Sequence, residues 1–95
     1  MITKDAVVEK IKTVKDPEIN LDVWTMGLIY EVDILSEEMI RVIMTYTTPL
    51  CPFGSALKEQ VHAALQDLGF TTIALEVTFN PPWQPSEELR TMLGI

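Results

Sequence analysis

Apolar residues change their spacing along the chain, and each change predicts an element. Val7, Val8, Ile11 and Val14 recur at helical intervals, predicting an amphipathic helix from residue 3 to about 14. Thr3 can cap that helix, and Asp5 suits the positive end of its dipole. Asp16-Pro17-Glu18 should end it, because the residue before a proline is pushed out of the α region. Residues 16–27 then read as a loop, with Val23, Trp24 and Met26 tucked against the body. Gly27 marks a special backbone angle or a close approach. From Leu28 to Leu35 the period is two, with Leu28, Tyr30, Val32 and Ile34 on one face and Ile29, Glu31, Asp33 and Leu35 on the other. Ser36-Glu37-Glu38 is a short polar break, and Met39 to Thr47 resumes a strand rich in β-branched residues. Two such runs across a short turn predict an antiparallel hairpin, whose second face, less polar near the strand ends, should be partly covered.

The strongest helical pattern in the chain follows Cys51. Leu57, Val61, Ala64, Leu65 and Leu68 form one stripe, Gly69 is a good stop, and Lys58, His62 and Gln66 share the opposite face. Phe70 to Phe79 alternates again, with Ile73, Leu75, Val77 and Phe79 against Thr72, Ala74, Glu76 and Thr78. A helix between the second and third strands is a crossover, so those strands can lie parallel. Asn80-Pro81-Pro82-Trp83-Gln84-Pro85 is a stiff extended turn, and Ser86 caps a last helix carrying Leu89, Met92 and Leu93. The order α-β-β-α-β-α predicts an α+β fold: one small domain over residues 1–95, a three-stranded mixed sheet and helices packed on one face.

Composition narrows the setting. At 95 residues the chain can bury a single core, and a hydrophobic fraction of 47% is ordinary for a folded globule. One cysteine cannot form an internal disulfide, which fits a reducing compartment. No apolar run approaches the ~20 residues that span a bilayer, and the N-terminus lacks the pattern of a signal peptide. The expectation is a soluble cytoplasmic protein with no membrane association. The net charge is −7, and Lys4, Lys10, Lys12 and Lys15 are interrupted by Asp5 and Glu9. That pattern predicts a solvated helix face and no nucleic-acid partner, since nucleic-acid binding needs a basic face.

Candidate chemistry gathers at Thr47-Thr48-Pro49-Leu50-Cys51-Pro52, where a strand pattern stops and a helix pattern starts. Pro52 suits a first helical turn, where its missing N–H would be unpaired anyway. Cys51 then falls at or beside the helix N-cap, where unpaired N–H groups and the helix dipole favour a thiolate, the form that attacks and binds metals. The other reading is a small buried residue, the common state of a lone cysteine. Asp16 and Glu18 after the first helix, and Trp83 on the proline turn, would surround the thiol if the loops meet at one end of the sheet. Equally, Asp16 reads as a turn residue and Trp83 as a plug under the last helix. Other chemistries lack their parts: no glycine-rich phosphate loop follows a strand, and a serine triad would need His62, which falls on a surface-facing stripe. No second histidine or nearby cysteine completes a metal site with His62, and no pair of acids falls in an evident cleft.

Four motifs in order carry a resemblance. Asp16-Pro17-Glu18, Gly27-Leu28-Ile29-Tyr30, Thr47-Thr48-Pro49-Leu50-Cys51-Pro52 and Pro81-Pro82-Trp83 together resemble the SufT/PaaD-like domain of iron–sulfur cluster assembly, over residues 4 to 94. The resemblance implies an α/β fold of the order already derived and a role in maturing iron–sulfur proteins. By likeness, Cys51 matches the family's reactive cysteine and Asp16 the acid of its Asp-Pro-Glu motif, thought to lie near it. Thr47 and Thr48 match the polar residues before the cysteine, and Trp83 matches the proline–tryptophan turn. The chain departs at Thr25 and Met26, where an acid and a leucine are frequent, and at Tyr46, where leucine is common. It stops at Ile95 without the cysteine-rich extension of PaaD-type members, so a stand-alone SufT-like role is expected.

Clusters are normally held by about four protein ligands, mostly thiolates, and one chain offers one. The expectation is therefore a non-enzymatic factor that assembles or transfers clusters, with Cys51 as reactive thiol or transient metal ligand. Its cofactor would be a transient iron–sulfur cluster, bridged by a homodimer or passed on without storage. Its partners would be iron–sulfur carrier or scaffold proteins and client apoproteins. Two alternatives stay open: a thiol-dependent enzyme, and an adaptor in which Cys51 is inert. Against the enzyme, no second cysteine can resolve a sulfenic acid.

Overall fold

The computed structural model describes residues 2–16, 20–47 and 54–94. Helix α1 (Lys4–Ile11) leads into a hairpin of β1 (Ile29–Ile34) and β2 (Met39–Met44), followed by α2 (Gly54–Leu68), β3 (Thr72–Val77) and α3 (Glu87–Leu93). The sheet order is β1-β2-β3, antiparallel between β1 and β2 and parallel between β2 and β3. This is the predicted α-β-β-α-β-α order with its mixed three-stranded sheet.

Both predicted caps are in place. Thr3 Oγ1 accepts the Ala6 N–H at 3.1 Å, and Ser86 Oγ accepts the Leu89 N–H at 3.1 Å. Each satisfies an orphan donor and contributes about 1 kcal/mol. The core lies between the sheet and the first two helices. Ile40, Val42 and Met44 of the central strand meet Val7 and Ile11 of α1 and Leu57, Val61 and Leu65 of α2. Val23 and Met26 are buried as expected, and they close the core from the loop before β1.

Three expectations are corrected. Helix α1 ends at Ile11, ahead of Asp16-Pro17, because the chain tightens there: Thr13 N–H and Thr13 Oγ1 both bond the Lys10 carbonyl, and Val14 N–H bonds the Ile11 carbonyl. A side chain that satisfies the backbone locally competes with the helix, and the turn still buries Val14. The second correction concerns the faces of β1. Ile29 pairs with Met44 and Glu31 with Ile43, so the register slips by one residue at Tyr30. This bulge puts Ile29 with Val32 and Ile34 against the core and sends Tyr30 to the other side. The strands are also shorter than their patterns, ending at Met44 and Val77.

Candidate functional site

Strand direction decides where the loops meet. Because β1 opposes β2 and β3 follows it, the start of β1 and the ends of β2 and β3 lie together, as the register Ile29–Met44–Val77 shows. The loop before β1, the segment after β2 and the turn after β3 all leave from this end. The condition under which Asp16, the Cys51 segment and Trp83 could converge is therefore met at the level of topology.

The loop before β1 is closed at its base by a bridge between Lys15 and Asp22. Asp16 N–H donates to the Leu21 carbonyl at 2.8 Å, and Asn20 N–H donates to the Asp16 carbonyl at 2.8 Å. Asn20 turns the chain with φ 61°, a conformation asparagine tolerates better than most residues. Asp16 is 3% exposed, and Asp16 and Thr45 are the buried polar residues among those described. No buried side-chain oxygen or nitrogen among the described residues lacks a partner. Thr25, one of the departures noted above, is tied down by Asp22, whose carboxylate accepts both its N–H and its hydroxyl.

Trp83 joins the turn after β3 to this loop. Its indole N–H donates to the Met26 carbonyl at 2.6 Å. Gly27, at φ +77°, lies directly beneath: a Cβ there would stand 3.8 Å from the indole nitrogen. Of the two expectations for Gly27 the angle is the one met, since 3.8 Å is an ordinary contact that a side-chain carbon could make. Trp83 is half-buried and packs on the core, so its role is at least that of a clamp between two loops.

The exit of β2 is packed just as closely. Thr45, fully buried, donates its N–H to the Leu28 carbonyl and so extends the β1–β2 pairing past the bulge. The Tyr46 ring lies against Gly54, where a Cβ would come within 2.7 Å of the ring, and Phe79 of the next loop braces it at 5.9 Å between centroids. Thr47 is half-buried in a bend. Thr47 and Gly54 are thus the described ends of the segment that contains Cys51. Glu18, Thr48, Cys51 and Pro52 lie outside the described residues, as does the predicted N-cap placement of the thiol. Tyr46, Gly54 and Thr45 were not singled out as site residues by sequence. The one available signal was a glycine opening an otherwise apolar helix face.

Away from this end, Lys10 of α1 pairs with Asp67 near the end of α2, and the ammonium holds the exposed Asp67 carboxyl below its ordinary value. Among the described residues no three of histidine, cysteine, aspartate and glutamate are grouped to hold a metal ion. None of the described helices is long and apolar enough to cross a membrane.

Comparison with known proteins gives this geometry a family. The chain belongs to the iron–sulfur cluster assembly protein family, whose model matches residues 4–74, a span that includes Asp16, Thr47 and Cys51. It is 35% identical over 96 residues to an Fe-S protein maturation auxiliary factor of Porphyromonas gingivalis, covering 97% of this chain and 91% of that one. It is also 30% identical over 95 residues to an iron-sulfur cluster carrier protein of Synechocystis, where the match takes up 99% of this chain and 27% of the longer protein. Among solved structures, a conserved hypothetical protein of Thermotoga maritima superposes with a TM-score of 0.85 at 37% identity, covering 99% of this chain and 96% of that one.

Proposed function

We propose that this protein is a non-enzymatic factor that assembles iron–sulfur clusters or passes them to client apoproteins. Membership of the assembly family supports the general role, and the names carried by the Porphyromonas and Synechocystis relatives agree with it. The observation that carries the site is the meeting of three loops at one end of the sheet. Met44, three residues before Thr47, pairs with Ile29 and Val77 at that end, and Trp83 bonds the loop before β1, which supports a site formed there by Asp16, the Cys51 segment and Trp83.

In this reading Cys51 is a transient ligand or reactive thiol, and the cluster is cargo. Glu18, Thr48 and Pro52 are assigned to support the thiol on the strength of their motifs. A single thiolate against about four ligands per cluster makes long-term storage by one chain unfavourable. The cargo is shared with a second copy, a carrier or a client. The lone cysteine, with no disulfide to form, suits a reducing cytoplasm.

The test is transfer. A four-cysteine apoferredoxin is incubated anaerobically with iron, sulfide and this protein, and the growth of the ferredoxin spectrum is followed. The wild-type chain should accelerate it, and Cys51→Ser should remove the acceleration while leaving the circular dichroism unchanged. Full acceleration by Cys51→Ser would move the function away from the thiol. Catalytic turnover of a small thiol or acyl substrate would make the protein an enzyme instead.

A further inference from the structure

The face of the sheet turned away from α1 and α2 carries a groove of its own, about 690 Å3 in volume. Ile43 of the central strand forms its floor. Tyr30, delivered to this side by the bulge in β1, closes one end, where its hydroxyl donates to the Pro81 carbonyl at 2.8 Å. Glu31 on β1 and Glu76 on β3 form the walls, with Arg41 between them: its Nε is 2.9 Å from Glu76 and its Nη1 3.9 Å from Glu31. Asp33 is paired across from Arg41 on the same face. Three carboxylates against one guanidinium leave an excess of negative charge. Along β2 the face also offers Met39, which is 42% exposed.

We propose that this groove docks an extended, lysine- or arginine-bearing segment of a partner protein. The aliphatic stems of such a segment lie over Tyr30 and Ile43, and its charged heads are held by Glu31 and Glu76. Long basic side chains suit the site because they bring an apolar stem and a cationic tip together. The tyrosine ring adds attraction for a cation over its face. The excess of carboxylates on this face, within a chain of net charge −7, draws a basic segment in and disfavours phosphate-rich surfaces. This inference does not depend on Cys51.

The experiment is a titration of the 15N-labelled protein with a blocked six-residue peptide of alternating lysine and leucine, beside a glutamate–leucine control. Amide shifts should concentrate at Tyr30, Glu31, Arg41, Ile43 and Glu76. Glu31→Gln combined with Glu76→Gln should weaken binding about tenfold, whereas Arg41→Gln, which removes the competing cation, should tighten it about threefold. All three side chains are substantially exposed, so the rest of the amide spectrum should be unchanged. Any of these results would overturn the proposal: no binding at millimolar peptide, shifts spread over Glu9 and Glu59 on the helices, preference for the glutamate peptide, or loss of binding in Arg41→Gln. Concentration-dependent shifts at the same residues without peptide would also overturn it, assigning the groove to a second copy.

Discussion

At the end of the sheet where β1 turns into β2, the backbone closes on itself within a few residues. Leu35 and Ser36 N–H groups bond the Met39 carbonyl, and Ser36 Oγ accepts the Glu38 and Met39 N–H groups. At the other end, long loops are tied together by side chains from distant parts of the chain: Trp83 to Met26, and Tyr46 to Gly54 and Phe79. The first arrangement is local and needs little beyond polar turn residues. The second joins the loop before β1 to the turn after β3 and the exit of β2 to the start of α2, and its stability rests on a few contacts between loops. Binding and catalytic residues tend to gather on loops positioned by a rigid scaffold, which is why the proposed site is sought at this end.

Removing the clamp at the loop end should have the largest effect on stability. Trp83→Ala loses half-buried aromatic surface and leaves the Met26 carbonyl without its donor, costing about 2–3 kcal/mol in denaturant unfolding. Amide exchange should rise across residues 22–28 while residues 35–39 stay protected. Gly54→Ala comes next. Alanine favours a helix, but the Tyr46 ring, braced by Phe79, stands where its Cβ would go, so the net cost should be about 1 kcal/mol. In a Tyr46→Leu background the same change should turn neutral or stabilising, since the obstacle is gone. At the closed end, Ser36→Ala should cost only about 0.5 kcal/mol, because both N–H groups it serves are exposed to water.

The smallest effect is a pH dependence outside both ends. Lys10 depresses the Asp67 carboxyl in the folded chain, so its contribution is present above the ordinary value of 3.8 and is lost as pH falls through the lower folded value. Lys10→Met should flatten that acidic portion of the stability profile, read by thermal unfolding at a series of pH values, and leave the neutral portion nearly unchanged.

Much of this was legible from residue spacing. The alternation of β3 grouped Ile73, Leu75 and Val77 on one face, and these three pack on the core, whereas Phe79 of the same set is 40% exposed. Both capping residues announced their helices. The bulge was not legible, because an extra residue in β1 leaves the alternation looking regular while swapping Ile29 and Tyr30 between faces. The open-face groove went unread for that reason. The end of α1 was misplaced because Pro17 looked like the stop, while Thr13 had already satisfied the Lys10 carbonyl. At the candidate site, Asp16 and Trp83 could be named from their motifs. The bond from Trp83 to a backbone carbonyl, and the packing of Tyr46 on Gly54, leave no pattern in one sequence because they join residues far apart in the chain.

The most direct test of the central claim is anaerobic reconstitution with iron and sulfide, counting both per chain and recording the visible spectrum, with Cys51→Ser alongside. A labile cluster that requires Cys51, at one per two chains, is the predicted result. An equal cluster content in Cys51→Ser, or none in either protein, would contradict a cargo-handling role for the thiol.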